Sequence, residues 1–249
     1  MKRLVAFDLD GTLAESKQPI GEEMAGLLKR LLDVAMVAVI SGGDWPQFEK
    51  QVVARLPKDS ALGRLFIMPT TGTKLYRHED GGWRAVYAET FSPQERDRIL
   101  RAFDTALADA GLKQERIWGE RIEDRGSQIT FSGLGQEAPL DAKKAWDPDF
   151  AKRKAMQKTL RAILPELSVN IGGSTSIDIT REGVDKAYGM RRLSEHAGVG
   201  WEDMLFMGDA IYPGGNDDPV RAAGIDSIKV RDVAETATAV TVVIACLKS

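Results

Sequence analysis

Four apolar residues, Leu4-Val5-Ala6-Phe7, run directly into Asp8-Leu9-Asp10-Gly11-Thr12, and few folds satisfy both halves of that stretch. So short and unbroken an apolar run reads as a strand buried on both faces, the kind found in a parallel sheet covered by helices. Asp8 and Asp10 then stand at the carboxyl edge of the sheet, where open α/β folds bind their ligands, and Gly11 turns the chain away. Two acids so close repel each other unless a cation sits between them. A hard divalent ion with oxygen ligands, Mg²⁺ above all, relieves that repulsion. One carboxylate can then attack an electrophile while the other moves a proton. Taken alone, the spacing better fits a solvated Asp-x-Asp-Gly turn, so a catalytic meaning depends on what the rest of the chain supplies.

Downstream, residues 21–32 carry Met24, Leu27, Leu28, Leu31 and Leu32 at helical spacing. Residues 34–40 read as a second buried strand. It ends in Ser41-Gly42-Gly43-Asp44, a small-residue turn that opens a helix over 45–56. A hydroxyl and free backbone N–H groups at such a point suit an anion. Residues 66–69 read as a third core strand, and 74–76 with 83–87 as a hairpin.

The pattern then changes. Residues 92–111 form one helix, with Ser92 as N-cap, Glu95 three residues on and Gly111 closing it. Strand-like segments at 117–123 and 128–131 flank Arg125-Gly126, and a polar stretch over 133–147 leads to a helix over 148–164. Strands over 167–171 and 176–180 follow. This antiparallel section, 88–182, reads as a second domain inserted into a first that comprises 1–87 and 183–249. The second flank has a helix from about Lys186 to His196 and an apolar strand at 204–207. That strand runs into the loop Gly208-Asp209 to Asn216-Asp217, followed by a helix over 216–223, a strand over 227–230 and an amphipathic helix over 233–247.

Composition narrows the partners. A net charge of −3 and a pI near 5.6 argue against nucleic acid or an anionic membrane. The one cysteine, Cys246, allows no intrachain disulfide and fits a reducing compartment, and two histidines, His78 and His196, do not make a zinc site. Acids interrupt the first apolar run at Asp8, so no signal peptide is read, and the longest apolar run, 239–247, is too short to span a bilayer. A cytoplasmic protein acting on a small molecule is expected.

Asp8 with Asp10, Ser41, Lys186, and Asp209 with Asn216-Asp217 follow one another in fixed order, each at a strand end or helix start. In this the whole chain resembles the haloacid dehalogenase-like (HAD) phosphotransferases. The resemblance implies an α/β fold: a Rossmann-like core with a parallel sheet, plus an inserted α+β cap domain between the second and third motifs. It implies that Asp8 is the nucleophile and Asp10 the acid and base. Ser41 and Gly42 would bind phosphoryl oxygens, and Lys186 would clamp the charge. Asp209 would complete a Mg²⁺ site with Asp8 and the backbone carbonyl of Asp10. Asn216, on the substrate side, and Asp217, on the metal side, would orient the lysine and the metal shell. The physics agrees: an aspartate approaching an anionic phosphoryl group is repelled unless cations and donors surround it.

Within that superfamily the loop Gly208-Asp209-x₃-Pro213-Gly214-Gly215-Asn216-Asp217 is similar to that of eukaryote-type phosphomannomutases and longer than that of Cof-type sugar phosphatases. Ser176 and Asp178 match a mutase cap strand that contacts the sugar, and Arg125 matches an arginine that binds substrate phosphate. Lys17 stands where mutases carry an arginine. Motif II reads Ser-Gly-Gly-Asp, where mutases have Gly-Gly-Ser-Asp. Gln136 replaces a phosphate-binding arginine, and a further cap arginine has no counterpart, although Lys143 lies nearby. Arginine to glutamine removes both the charge and the bidentate fork. On that ground the expected activity is a Mg²⁺-dependent phosphatase of a sugar phosphate or similar metabolite, working through an aspartyl phosphate. The alternative is a phosphomannomutase-like mutase using the same intermediate. An idle binding module has no need of so repulsive a cluster.

Overall fold

The first apolar run is an inner strand, third from one edge, of a seven-stranded sheet. β1 (Leu4–Phe7) pairs in parallel with β2 (Met36–Ile40) on one side and β10 (Met204–Gly208) on the other. β3 (Leu65–Met68) and β11 (Ser227–Lys229) extend the parallel run, and the antiparallel hairpin of β4 (Lys74–Glu79) and β5 (Gly82–Ala88) adds one edge. Every residue of β1, β3 and β10 is buried, which is why these strands read as continuous apolar runs. The computed structural model describes residues 1–113 and 116–248.

Alternation along β1 divides the core. Val5 and Phe7 join a cluster with Leu27, Leu28 and Leu31 of α1 (Glu22–Leu32) and Val240 and Ile244 of α8 (Val233–Leu247). Leu4 and Ala6 point the other way, to a cluster with Met190 and Leu193 of α6 (Lys186–Ala197). Helices on both faces of a mainly parallel sheet make this a Rossmann-like, doubly wound core. α2 (Trp45–Gln51) and α7 (Asp218–Ala222) complete it.

The chain divides into two compact units, Met1–Ala88 with Val184–Ser249, and Glu89–Gly183. The second is α+β. β6 (Ile122–Asp124), β7 (Ile129–Ser132), β8 (Leu167–Gly172) and β9 (Ser176–Arg181) form an antiparallel sheet in the order β6-β7-β9-β8. Ile129, Phe131, Val169, Ile177 and Ile179 pack with Ile99 and Phe103 of α3 (Pro93–Asp109) and Met156 and Leu160 of α5 (Ala151–Ile163). Thr130, Ser176 and Asp178 alternate onto the opposite face. Arg153, fully buried, ties α5 down: its Nε donates to Asp147 Oδ2 at 2.8 Å and its Nη1 to the carbonyls of Gly172 and Gly173 at 3.0 and 2.8 Å.

Several boundaries differ from the sequence reading, for local reasons. β2 starts at Met36 because residues 33–35 turn off α1. The helix expected over 45–56 stops at Gln51 and gives way to a 3₁₀ turn, Val53–Arg55. The strand expected over 117–123 contracts to Ile122–Asp124. The polar stretch over 133–147 hides a helix, α4 (Leu140–Trp146). The next helix begins at Ala151, where the Asp147 carboxylate accepts the N–H groups of Lys152 and Arg153. The helix expected over 216–223 is the shorter α7. By contrast, both halves of the capping box at Ser92 and Glu95 form. Among the described residues, no helix is long and apolar enough to cross a membrane.

α6 approaches the sheet through glycine. A Cβ on Gly189 would overlap Ile40 Cδ1 and stand 3.0 Å from the Thr71 carbonyl, and one on Gly72 would stand 2.5 Å from Gly189 Cα. Gly189→Ala is therefore expected to cost about 1–3 kcal/mol through overpacking. It should also lower turnover, because Lys186 opens the same helix. Urea denaturation alongside an activity assay checks both, and a variant as stable as the parent would show that the helix is free to shift.

Candidate active site

Three parallel strands deliver the candidate residues to one edge. Phe7 is in register with both Val39 and Met207, so Asp8, Ser41 and Asp209 emerge together just past the carboxyl ends of β1, β2 and β10. The Asp8 N–H donates to the Met207 carbonyl at 2.9 Å, continuing the ladder one residue beyond the strand. Lys186 enters from the first turn of α6, whose N-cap Asp185 accepts the Tyr188 N–H at 2.7 Å. Its Nζ donates to Asp8 Oδ1 at 2.6 Å and to Asp217 Oδ1. Asp8 is 4 % exposed, Lys186 2 % and Asp217 0 %.

Burial sets the electrostatics. It pushes the Asp8 carboxyl up to about 6, with the neighbouring Asp217 charge adding to the effect and the Lys186 ammonium opposing it. Burial also acts to neutralise Lys186, but Asp8 and Asp217 together hold its pKa above the ordinary value, so the ammonium stays charged. Asp8, Asp209 and Asp217 each offer a carboxylate oxygen, all within 4.8 Å of one another. An all-oxygen set carrying more negative charge than one lysine balances suits a hard divalent cation. The Asp10 carboxylate stands outside this group.

Asp10 is instead held from two sides. Oδ1 accepts the Lys17 backbone N–H at 2.7 Å, and Oδ2 accepts Gln47 Nε2 at 3.2 Å. Lys17 is left-handed (φ 60°) with an exposed side chain, and it is its main chain that meets Asp10. Gly11, at φ 84°, has no room for a side chain: a Cβ would stand 2.6 Å from Asp209 Oδ2. The sequence reading gives no role to Thr12 or Gln47. Thr12 Oγ1 accepts the Asp209 N–H at 3.1 Å and joins the two acidic loops. Thr12 closes the Asp8-Leu9-Asp10-Gly11-Thr12 stretch, whose spacing alone gives it no role, whereas Gln47 belongs to no recognisable motif and only its place, three residues after Asp44, singles it out.

The motif II loop rests on the turn after β3. Ser41 is buried at the strand end. Its carbonyl accepts the Thr71 N–H at 2.9 Å, and the Gly43 carbonyl accepts the Thr70 N–H at 2.8 Å. Thr70 and Thr71 are both left-handed, a costly conformation for a β-branched residue. Gly42 lies between these braces, half-buried. Asn216 is exposed beside the buried Asp217, whose Oδ2 accepts the Ala210 N–H at 3.0 Å.

In the second unit, Arg125 is paired bidentately with Glu123, Nε to Oε1 at 2.9 Å and Nη2 to Oε2 at 2.7 Å. Asp178 Oδ1 accepts Thr130 Oγ1 at 2.7 Å and Gln128 Nε2 at 3.0 Å. Burial raises its pKa against those hydrogen bonds and the Arg125 charge. Ser176 lies two residues before it on the same face, opposite Ser132. The Gln136 carbonyl accepts Lys143 Nζ at 2.8 Å, whereas Gln136 Nε2 is buried without a hydrogen-bond partner among the described residues.

Known proteins show the same architecture and sequence pattern. The structure is similar to that of an IMP-nucleotidase from Plasmodium falciparum (TM-score 0.73, 16% identity, covering 99% of this chain and 69% of that one). It is also similar to a haloacid dehalogenase-like hydrolase from Bacteroides thetaiotaomicron (TM-score 0.65, 17% identity, 98% and 100%). At these identities the likeness speaks for the fold. In sequence, the chain is 28% identical to a phosphomannomutase of Triticum aestivum over 223 residues, 86% of this chain and 84% of that one. The family model for eukaryotic phosphomannomutase matches residues 24–240. With a HAD core, an inserted α+β unit and a match along most of its length, this chain is an enzyme acting on phosphate esters and belongs to the eukaryotic phosphomannomutase family.

Proposed function

We propose that this enzyme is a Mg²⁺-dependent phosphosugar mutase of phosphomannomutase type, working in the cytoplasm through an aspartyl phosphate on Asp8. The observation that carries the reading is the family match over residues 24–240. The Lys186 ammonium set between Asp8 and Asp217 is the arrangement such chemistry needs. An Asp8 oxygen attacks phosphorus as the bond to the sugar oxygen breaks, and Asp10 passes its proton to that oxygen. In the return step, Asp10 takes a proton from a second sugar hydroxyl as that oxygen attacks the aspartyl phosphate. Lys186 balances charge throughout, and Ser41 and Gly42 donate to the phosphoryl oxygens. Asp8, Asp209, Asp217 and the carbonyl of Asp10 would hold Mg²⁺, which when bound supplies neutralisation of phosphoryl charge. Arg125, Ser176 and Asp178 are assigned to the sugar and its second phosphate, with Asn216 and Lys17 as further substrate contacts.

A specific observation favours hydrolysis as the second reading: Gln136, where mutases have arginine, carries no charge. Against it, Lys143 Nζ at the Gln136 carbonyl brings a cation back to that position. The experiment follows mannose 1-phosphate with a sugar bisphosphate activator, measuring isomerisation and free phosphate together. Isomerisation faster than phosphate release is expected, and Gln136→Arg should raise the ratio further because the second phosphate gains a bidentate partner. Phosphate release that dominates with the activator present would establish the phosphatase instead. Activity should be lost in excess chelator and restored by Mg²⁺, but not by Ca²⁺, whose longer bonds and higher coordination number let Asp8 bind through both oxygens. Full activity in chelator would overturn the metal assignment.

A further inference from the structure

The geometry points to Gln47 as the positioning residue that aims Asp10 at the leaving oxygen, an inference that rests on the proposed acid–base role of Asp10. Asp10 sits in a tight turn, with its carboxylate outside the Asp8–Asp209–Asp217 group, and the orientation of that carboxylate has to be fixed by donors. It has one on each oxygen: the Lys17 backbone N–H on Oδ1 at 2.7 Å and Gln47 Nε2 on Oδ2 at 3.2 Å. A carboxylate oxygen accepts two hydrogen bonds, so these two fix the plane of the group and leave a lone pair on each oxygen for the proton in flight.

The Gln47 side chain is itself placed by the fold. Asp44 caps α2, accepting the Trp45 N–H at 2.8 Å, and its carbonyl accepts the Gln47 N–H at 3.0 Å, which sets Gln47 in the first turn. The carboxamide then lies over Gly43, where a Cβ would overlap Gln47 Oε1. A glycine in the motif II loop thus makes room for a side chain that reaches the motif I loop. A carboxamide suits the task because it is neutral and has both a donor and an acceptor end, so it can meet Asp10 with or without its proton.

The test separates substrates by leaving group. Expulsion of a sugar oxygen needs the proton from Asp10, whereas expulsion of p-nitrophenolate does not. Gln47→Leu should lower kcat/KM for mannose 1-phosphate by about ten- to a hundredfold, through kcat, and leave the pre-steady-state burst of p-nitrophenolate from p-nitrophenyl phosphate, which precedes the return step where Asp10 acts as base, within about threefold of the parent. Gln47→Glu keeps the length and removes the donor, and should show the same selectivity even if the leucine variant does not fold. Equal losses on both substrates, or no loss on either, would overturn the assignment. Asp10→Asn is the reference. If it spares mannose 1-phosphate, the acid–base reading of Asp10 falls; if it loses that substrate selectively while both Gln47 variants match the parent, only the role of Gln47 falls.

Discussion

Asp8→Asn should reduce turnover by at least about a thousandfold, because chemistry that depends on one nucleophile loses orders of magnitude without it. The fold should survive. Asp8 is nearly isosteric with asparagine, and burial already disfavours its ionised form, raising its pKa to about 6. Asparagine removes that unfavourable charge and still offers an oxygen to Lys186, which keeps its bond to Asp217. Stability equal to or above that of the parent is therefore expected in metal-free buffer at neutral pH, measured by urea denaturation beside the activity assay. Turnover above about a hundredth of the parent rate would rule out Asp8 as the nucleophile.

Lys186→Met should damage both stability and catalysis. Lys186 is the cation bonded to Asp8 and Asp217, and all three side chains are almost fully buried. Breaking a buried ion network by removing one partner typically costs about 3–5 kcal/mol, because the remaining charges stay buried without compensation. The urea midpoint should fall accordingly, and Mg²⁺ should recover more stability in the variant than in the parent, since a divalent ion replaces the missing charge. Turnover should fall by about a thousandfold, as the phosphoryl group would approach an unbalanced anionic site. A variant as stable as the parent would mean that Asp8 or Asp217 is protonated in the resting enzyme.

Gln136, which lacks the charge of an arginine, speaks for a phosphatase. The match to phosphomannomutases over 24–240 favours the mutase, and Lys143 beside Gln136 gives a physical reason why one substitution need not decide the activity.

The sequence by itself determined whatever is written in neighbouring residues. A strand buried on both faces must be apolar throughout, so β1, β3 and β10 could be read directly, and Asp8 and Asp209, within two residues of such strands, could be placed on one sheet edge. The capping box at Ser92 was legible because its partners are three residues apart. α4 was not, because its helix is anchored mainly by Trp146, whose ring occupies the space a Cβ on Gly133 would need, and that contact lies outside any local pattern. The tertiary structure alone decided how distant groups meet. Lys186 reaches Asp8 across 178 positions, Asp209 meets Thr12 across 197, and Gln47 meets Asp10 across 37. It also showed Lys17 serving Asp10 through its backbone and Asp217 shared between the lysine and the acidic cluster. These facts rest on where side chains point after packing, and a hydrogen bond of about 3 Å depends on that placement far more closely than on residue type.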